Sequence, residues 1–337
     1  MQPPRNLSID TLRMLAAFEV VTLHVRYDNL PGLAAVAIRL QARWAVPFFF
    51  IISGYFLGRR LADPGRADMR PSIYRLIWIF ALWSLIYVPQ VIAEHGPKEV
   101  LRRLLFPSVV YIGEYFHLWF PSSLAFGMII LLFVFYYRLE KWLPIISLAI
   151  IVHVLLAGAY NRVFDLKFPF DFVIARHWTS IPALALGVWL FRRGPLHRWA
   201  ALALAGGGLG LQIVESWYLQ AHFGIPAYDH EFLIGTLPFA LGMASLAVSG
   251  LRLLEVPAPA HWGQDYSLGI YLVHILVIFL IARTIQFAWP VLEQLALWDV
   301  LQPFVVVLAC LGLLAAIRRW LPGFFRFLLG DHIARAN

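Results

Sequence analysis

Apolar runs of about 20 residues recur along the chain, each closed by a burst of charge or by proline, glycine or asparagine. Such runs are too long and continuous for the one-sided helices of a water-soluble core, and about 20 apolar residues cross roughly 30 Å of hydrocarbon. The pattern predicts helices at residues 8 to 27, 42 to 58, 73 to 93, 117 to 137, 143 to 160, 178 to 192, 199 to 220, 231 to 250, 266 to 287 and 298 to 317. The expected fold is all-α: a polytopic membrane protein of about ten transmembrane helices, forming a single transmembrane domain over residues 1–337. Residues 98 to 107 depart from the pattern. Lys98, Glu99, Arg102 and Arg103 stand there among leucines, and the short charged segment suits a helix lying in the membrane interface.

Composition sharpens this picture. Hydrophobic residues make up 61% of the chain and charged ones 14%, against about 45–50% and about 25% in soluble domains. That difference excludes a water-soluble core. The net charge of +8 comes from short basic bursts between apolar segments rather than from one patch, so no nucleic-acid partner is expected. Membrane topology accounts for the bursts. With the N-terminus in the cytoplasm, sixteen Lys and Arg fall on the inner side, among them Arg5, Arg66 and Arg335, and nine on the outer side, among them Arg26, Arg39, Arg43, Lys167 and Arg176. Both termini are therefore expected to be cytoplasmic.

The single cysteine, Cys310, lies in an apolar run, where an intramolecular disulfide is impossible and a packing role is expected. Gly206, Gly207, Gly208 and Gly210 lie inside a predicted span, which fits close helix packing rather than a phosphate loop. The first apolar segment carries Asp10, Arg13, Glu19 and His24 and lacks a small-residue cleavage site, so it is expected to stay in the protein.

Those four groups also hold the chemistry. Each charge within a span costs at least roughly 2.5 to 3.5 kcal/mol on insertion scales, so an ionisable cluster there points to function. At about 100° per residue, Arg13 and His24 lie within about 20° of one another around the helix and Asp10 about 40° from His24, while Glu19 points about 140° away. Glu19 is expected to pair with another helix. Along the shared stripe, Arg13 and His24 are separated by roughly 16 Å, so a long ligand can touch both. The competing reading is structural, with Asp10 and Arg13 as an i, i+3 ion pair and His24 as a buried packing histidine.

The run Ile9-Asp10-Thr11-Leu12-Arg13, followed after ten residues by His24, resembles the opening of the acyltransferase 3 family of membrane acyltransferases. Residues Phe48 to Phe56 resemble that family's second-helix ending, Phe116-His117-Leu118-Trp119-Phe120 its His-Leu-Trp-Phe element, and Tyr266 to His274 its late Tyr-Leu-x-His segment. The resemblance implies an enzyme of the bacterial inner membrane that transfers an acyl group, most often acetyl from cytoplasmic acetyl-CoA, to a hydroxyl of an envelope glycan or glycolipid. It implies His24 as catalytic residue, either as general base or through an acyl-histidine, with Arg13 and Asp10 as its partners. His117, Trp119, His274 and Glu215 are the substrate-binding candidates, and Arg59, Arg60, Arg70 and Arg75 are the candidates for holding the phosphates of CoA. No metal ligand and no permanently bound cofactor is expected, acetyl-CoA serving as co-substrate.

The chain ends soon after its tenth predicted helix, so this membrane domain is expected to complete the transfer itself or to pass the acyl group to a separate protein. Two other classes suit buried charges in ten spans: a transporter or flippase for a lipid-linked sugar, and a structural or regulatory membrane protein.

Overall fold

The computed structural model describes residues 6–63, 68–106, 109–166, 172–226 and 231–335. Arg5, Arg66 and Lys167, which entered the inside-outside count, lie outside the described residues. The helices run in chain order as α1 (Leu7–His24), α2 (Gly32–Ala42), α3 (Ala45–Leu61), α4 (Arg70–His95), α5 (Pro97–Leu105), α6 (Val109–Ile112), α7 (Trp119–Tyr136), α8 (Leu143–Ala157) and α9 (Asn161–Phe164). They continue with α10 (Phe172–His177), α11 (Ser180–Arg193), α12 (Arg198–Phe223), α13 (Thr236–Val248), α14 (Pro257–Ala288), α15 (Ala296–Trp320), α16 (Pro322–Leu328) and α17 (Asp331–Arg335). A 3₁₀ turn, Phe116–Leu118, leads into α7.

Each of the ten expected segments is helical. Among the described residues six stretches are long and apolar enough to cross a membrane: Gly32–Leu61, Arg70–His95, Phe116–Tyr136, Glu140–Ala157, Pro257–Ala288 and Ala296–Trp320. Helix α1 is marked down by its charges, with Asp10, Arg13 and Glu19 in 18 residues, and α11 and α13 are short, with 14 and 13 residues. The exterior displays Leu85, Leu148, Leu308 and Phe287 at 62% exposure or more. Water would not tolerate so much apolar surface, and the protein is an integral membrane protein.

α1 lies at the centre, against α14, α3, α13, α2 and α15. Asn6 caps its start by accepting from the Ile9 amide at 3.2 Å, and Asn6 and Ser8 donate to Val248 and Leu251 carbonyls at 3.1 Å, tying α1 to the end of α13. Small residues permit the closest approaches, since lipid gives helices no hydrophobic drive to associate and packing must do so instead. A Cβ on Gly263 of α14 would lie 1.9 Å from the Asp10 carbonyl oxygen, and one on Gly187 of α11 would lie 2.0 Å from that of Ile51 on α3. Of the four glycines expected to pack α12, only Gly208 touches a neighbour, the Phe239 amide on α13; Gly206, Gly207 and Gly210 face open space.

The segment expected to lie in the interface is α5, which buries no residue. Its Glu99 accepts from Arg102 and Arg103 at 2.6 to 3.0 Å, and these guanidinium groups hold the Glu99 carboxyl down to about 2. At the other end, α16 and α17 fold back on α4. Trp78 and Trp83 donate to the Phe327 and Leu328 carbonyls, and Arg75 donates to the Leu329 carbonyl at 2.8 Å and pairs with Asp331 at 2.7 Å.

Candidate active site

Three histidines from separate elements meet beside the C-terminus of α1. His24 ends α1, His117 sits in the 3₁₀ turn before α7, and His274 lies mid-way along α14. The His24 and His274 ring centroids are 5.0 Å apart and those of His117 and His274 5.3 Å. His117 and His274 are fully buried and His24 half-buried.

The hydrogen bonds fix which nitrogens carry protons, because a carbonyl can only accept. Nδ1 of His274 faces the Tyr271 carbonyl at 2.6 Å and is therefore the N–H, leaving its Nε2 as an acceptor. Nδ1 of His24 lies 2.7 Å from the Val20 carbonyl and 3.4 Å from that His274 Nε2, so its N–H is shared between them. The basic nitrogen of His24 is then Nε2. His117 donates from Nε2 to the Leu272 carbonyl at 3.4 Å, and its Nδ1 is buried without a partner. An orphaned buried acceptor costs roughly 1 to 3 kcal/mol, so a donor reaching this nitrogen would be favoured.

The end of α1 is held from outside the helix. Its last carbonyls lack partners within α1, and Arg39 of α2 donates to those of Leu23 and Val25 at 3.0 and 3.2 Å. The chain beyond is pinned by Asp299 of α15, which accepts from the Asn29 and Leu30 amides at 2.7 and 3.2 Å. Asp299 did not stand out in the sequence and Arg39 did so only as an outer-side charge, because their value here lies in contacts between distant elements.

His24 lines two cavities. One of about 480 Å³ runs between α1, α4, α14 and α15, with Asp28, Gln90, Glu94, Trp298 and Gln302 in its wall. The other, of about 250 Å³, is lined by Arg39, Arg43, Trp119, Arg176 and Glu231. A third, of about 180 Å³, lies toward the start of α1 and contains Arg13, Ser53, Ser267 and Tyr271. Ser267 is buried there with its hydroxyl unpartnered. The Tyr271 hydroxyl donates to the His117 carbonyl, so one side chain links the Arg13 cavity to the histidine cluster.

The sequence-predicted residues fall as follows. Arg13 pairs with Asp10 at 3.4 Å, the i, i+3 contact, and does not share a described cavity with His24. Glu19 accepts from Gln41 of α2 at 2.7 Å, pairing across helices as expected. Trp119 lies beneath Arg176, whose guanidinium carbon is 5.0 Å from its ring centre. Glu215 lines none of the three cavities; its carboxylate accepts from the Tyr160 hydroxyl and the Ile234 amide, both at 2.9 Å, and ties α12 to the chain entering α13. At the opposite end of the molecule, Arg59 is exposed, Arg60 donates to Ser72 at 2.7 Å and Arg70 pairs with Asp68, while Arg75 is committed to α17.

Comparison with known proteins bears on the same residues. A family model described as an acyltransferase domain, of the acyltransferase 3 type, matches residues 6–322. An amino-acid racemase of Enterococcus faecalis is 32% identical over 128 residues, which is 36% of this chain and 18% of the racemase. A serine/alanine racemase of Enterococcus gallinarum is 30% identical over 139 residues, 38% of this chain and 19% of that protein. The chain thus spans about a fifth of the length of these curated relatives. No solved structure matches.

Proposed function

The chain belongs to the acyltransferase 3 family, and from that membership we propose that it moves an acetyl group from cytoplasmic acetyl-CoA to a hydroxyl of an envelope glycan or glycolipid. In this reading it crosses a bacterial inner membrane ten times with both termini in the cytoplasm, so that Arg13 lies toward the donor side and His24 toward the acceptor side. The observation that carries the proposal is the fixed tautomer of His24. Its Nδ1–H is occupied by Val20 and His274, which leaves Nε2 as a base beside two cavities large enough for an acceptor.

The steps balance as ordinary acyl transfer. The acceptor O–H gives its proton to His24 Nε2 as its oxygen bonds to the thioester carbon. The tetrahedral intermediate collapses to an ester, the C–S bond breaks, and the CoA sulfur takes the proton from His24. Arg13 supplies positive charge on the donor side, and the small cavity with Arg13 and Ser267 favours a short acyl group over a long chain. Arg59, Arg60 and Arg70 would hold CoA phosphates. Arg75 would instead support the site from behind, through α17. Tyr271 lines the Arg13 cavity and bonds to the His117 carbonyl, so in this reading its side chain lies on the route from donor to base.

The matched stretches are 18% and 19% of the racemases, too small a part to carry their named activity to this chain. The test is purified protein with labelled acetyl-CoA and envelope glycan extracted from cells lacking it. Release of CoA matched by acetyl on glycan supports the reading. Transport of a lipid-linked sugar with no CoA release would replace it by the flippase alternative.

A further inference from the structure

The two cavities that meet at His24 differ in charge. The larger has Asp28, Glu94, Glu293 and Asp299 against Arg26 and Arg283. Among the described residues the smaller has Arg39, Arg43 and Arg176 with Glu231, and the aromatic rings of Phe50, Phe116 and Trp119 also line it. Cations gathered in a partly dry recess repel one another unless an anion joins them.

Arg176 is the most withdrawn of these cations. It is 8% exposed, so its guanidinium is withdrawn from water. Nη1 donates to both Glu231 oxygens at 3.0 and 3.2 Å, but Nε is buried and has no partner. Glu231 is 45% exposed, so it meets the guanidinium from the rim through Nη1 and leaves Nε without an acceptor. The Trp119 ring lies against the guanidinium, its centre 5.0 Å from the guanidinium carbon. A planar guanidinium with one edge occupied and an orphaned N–H presents the half-filled fork that a carboxylate or phosphate completes.

We propose that this cavity is an anion subsite, in which Arg176 and Arg43 hold an acidic group of the acceptor so that a neighbouring hydroxyl faces His24. The acceptor class is thereby a sugar acid, with its charged group in the smaller recess and its neutral remainder in the larger. Arg39 adds charge there while its hydrogen bonds remain on the α1 carbonyls. The inference rests on the acyltransferase reading for what happens next, but not for the binding itself.

The binding can be tested without an acyl donor. Cys310 is the chain's one cysteine and is buried, so a thiol-reactive dye reports unfolding of the full-length protein in detergent. D-glucuronate is expected to raise the unfolding temperature while D-glucose at equal concentration does not. Arg176→Gln should weaken the apparent glucuronate affinity at least tenfold. Glu231→Gln should strengthen it, because the competing rim carboxylate is gone, and this variant keeps the buried arginine should Arg176→Gln fail to fold. Equal shifts with glucose and glucuronate, or a glucuronate shift that neither variant alters, or no glucuronate shift even in Glu231→Gln, would overturn the subsite. A shift with short-chain phosphatidylglycerol but not with glucuronate would also overturn it, in favour of a lipid headgroup. Acetyl transfer to a neutral glycan together with a negative glucuronate result would leave the enzyme standing and remove only the subsite; a positive glucuronate result without CoA release would do the reverse.

Discussion

Nε2 of His274 lies 3.4 Å from Nδ1 of His24, joining side chains 250 positions apart in the sequence. The contact matters because it fixes the state of His24 from outside its own helix. With Val20 it occupies the N–H and leaves the opposite ring nitrogen basic. Replacing His24 with alanine is therefore expected to lower turnover by about 10²- to 10⁴-fold, the usual contribution of a positioned base, while acetyl-CoA still binds and the protein still folds. The checks are steady-state CoA release, calorimetry with acetyl-CoA and the thermal transition. Turnover within a few-fold of the native protein would remove His24 from the chemistry.

His274 acts through His24 and is a positioning residue. His274→Leu removes one of the two acceptors of the His24 N–H, leaving the Val20 carbonyl, and should reduce kcat roughly tenfold, with KM for acetyl-CoA little changed. His274→Gln can still accept from His24 with its side-chain oxygen and donate to the Tyr271 carbonyl with its nitrogen, so it should recover part of the loss. If both variants fall equally in kcat and in thermal stability, the histidine serves packing alone.

The arginines at the far end separate into two groups. Arg75 and Asp331 form an ion pair at 2.7 Å with about a third of each side chain exposed. Exposed pairs are worth about 0.2–1 kcal/mol, so a double-mutant cycle of Arg75→Gln and Asp331→Asn should give a coupling in that range by thermal or chemical unfolding. Arg75→Gln alone should leave CoA affinity nearly unchanged. Neutralising Arg59, Arg60 and Arg70 together should instead weaken CoA binding by roughly tenfold or more in calorimetry, as expected when charge-assisted contacts to phosphate are lost. An unchanged dissociation constant would assign those three to membrane topology.

Much of this molecule was legible in its sequence because a membrane helix advertises itself by length and apolarity. The ten segments all became helices, and the four unusual polar groups of α1 were visible against their background. The early part of α14 was not, since His261, Gln264 and Asp265 interrupt the apolar run while the backbone continues as helix from Pro257. Helix α2 was missed for a similar reason, being 11 residues long with Arg39 and Gln41 within it. At the site, His24, His117 and His274 could each be picked from local motifs, but their convergence depends on how α1 and α14 pack. Glu215 had the look of a functional intramembrane acid, and its partners Tyr160 and Ile234 lie 55 and 19 positions away, beyond the reach of local pattern.

Acid should loosen α5 in a defined window. The Glu99 carboxyl is held down to about 2 by Arg102 and Arg103, against its ordinary value of 4.5. A lowered folded value means that the carboxylate favours the folded helix above about pH 4.5 and that this contribution is lost as pH falls toward about 2. NMR titration of Glu99 in micelles should give an apparent value well below 4.5, and Glu99→Gln should remove the acid sensitivity of α5. A titration at 4.5 or above would mean that the two arginine contacts are not populated in solution.

The glycines of this fold separate by environment, and paired substitutions can read the difference. A Cβ at Gly263 would sit 1.9 Å from the Asp10 carbonyl oxygen and 2.9 Å from the Met14 amide nitrogen, both backbone atoms that cannot rotate away. Gly263→Ala must push α14 from α1, and overpacking of that kind costs typically 1–3 kcal/mol. Because the shift moves His274 relative to His24, activity should fall by more than the loss of folded protein explains. Gly206→Ala meets nothing within 4 Å and replaces the poorer helix former inside α12, so it should be neutral or stabilising by up to about 1 kcal/mol. Thermal unfolding of the two variants beside the native protein, with CoA release normalised to folded protein, makes the comparison. Equal, small effects from both would mean that α1 and α14 are not in close contact, and the His24–His274 hydrogen bond would lose its structural basis.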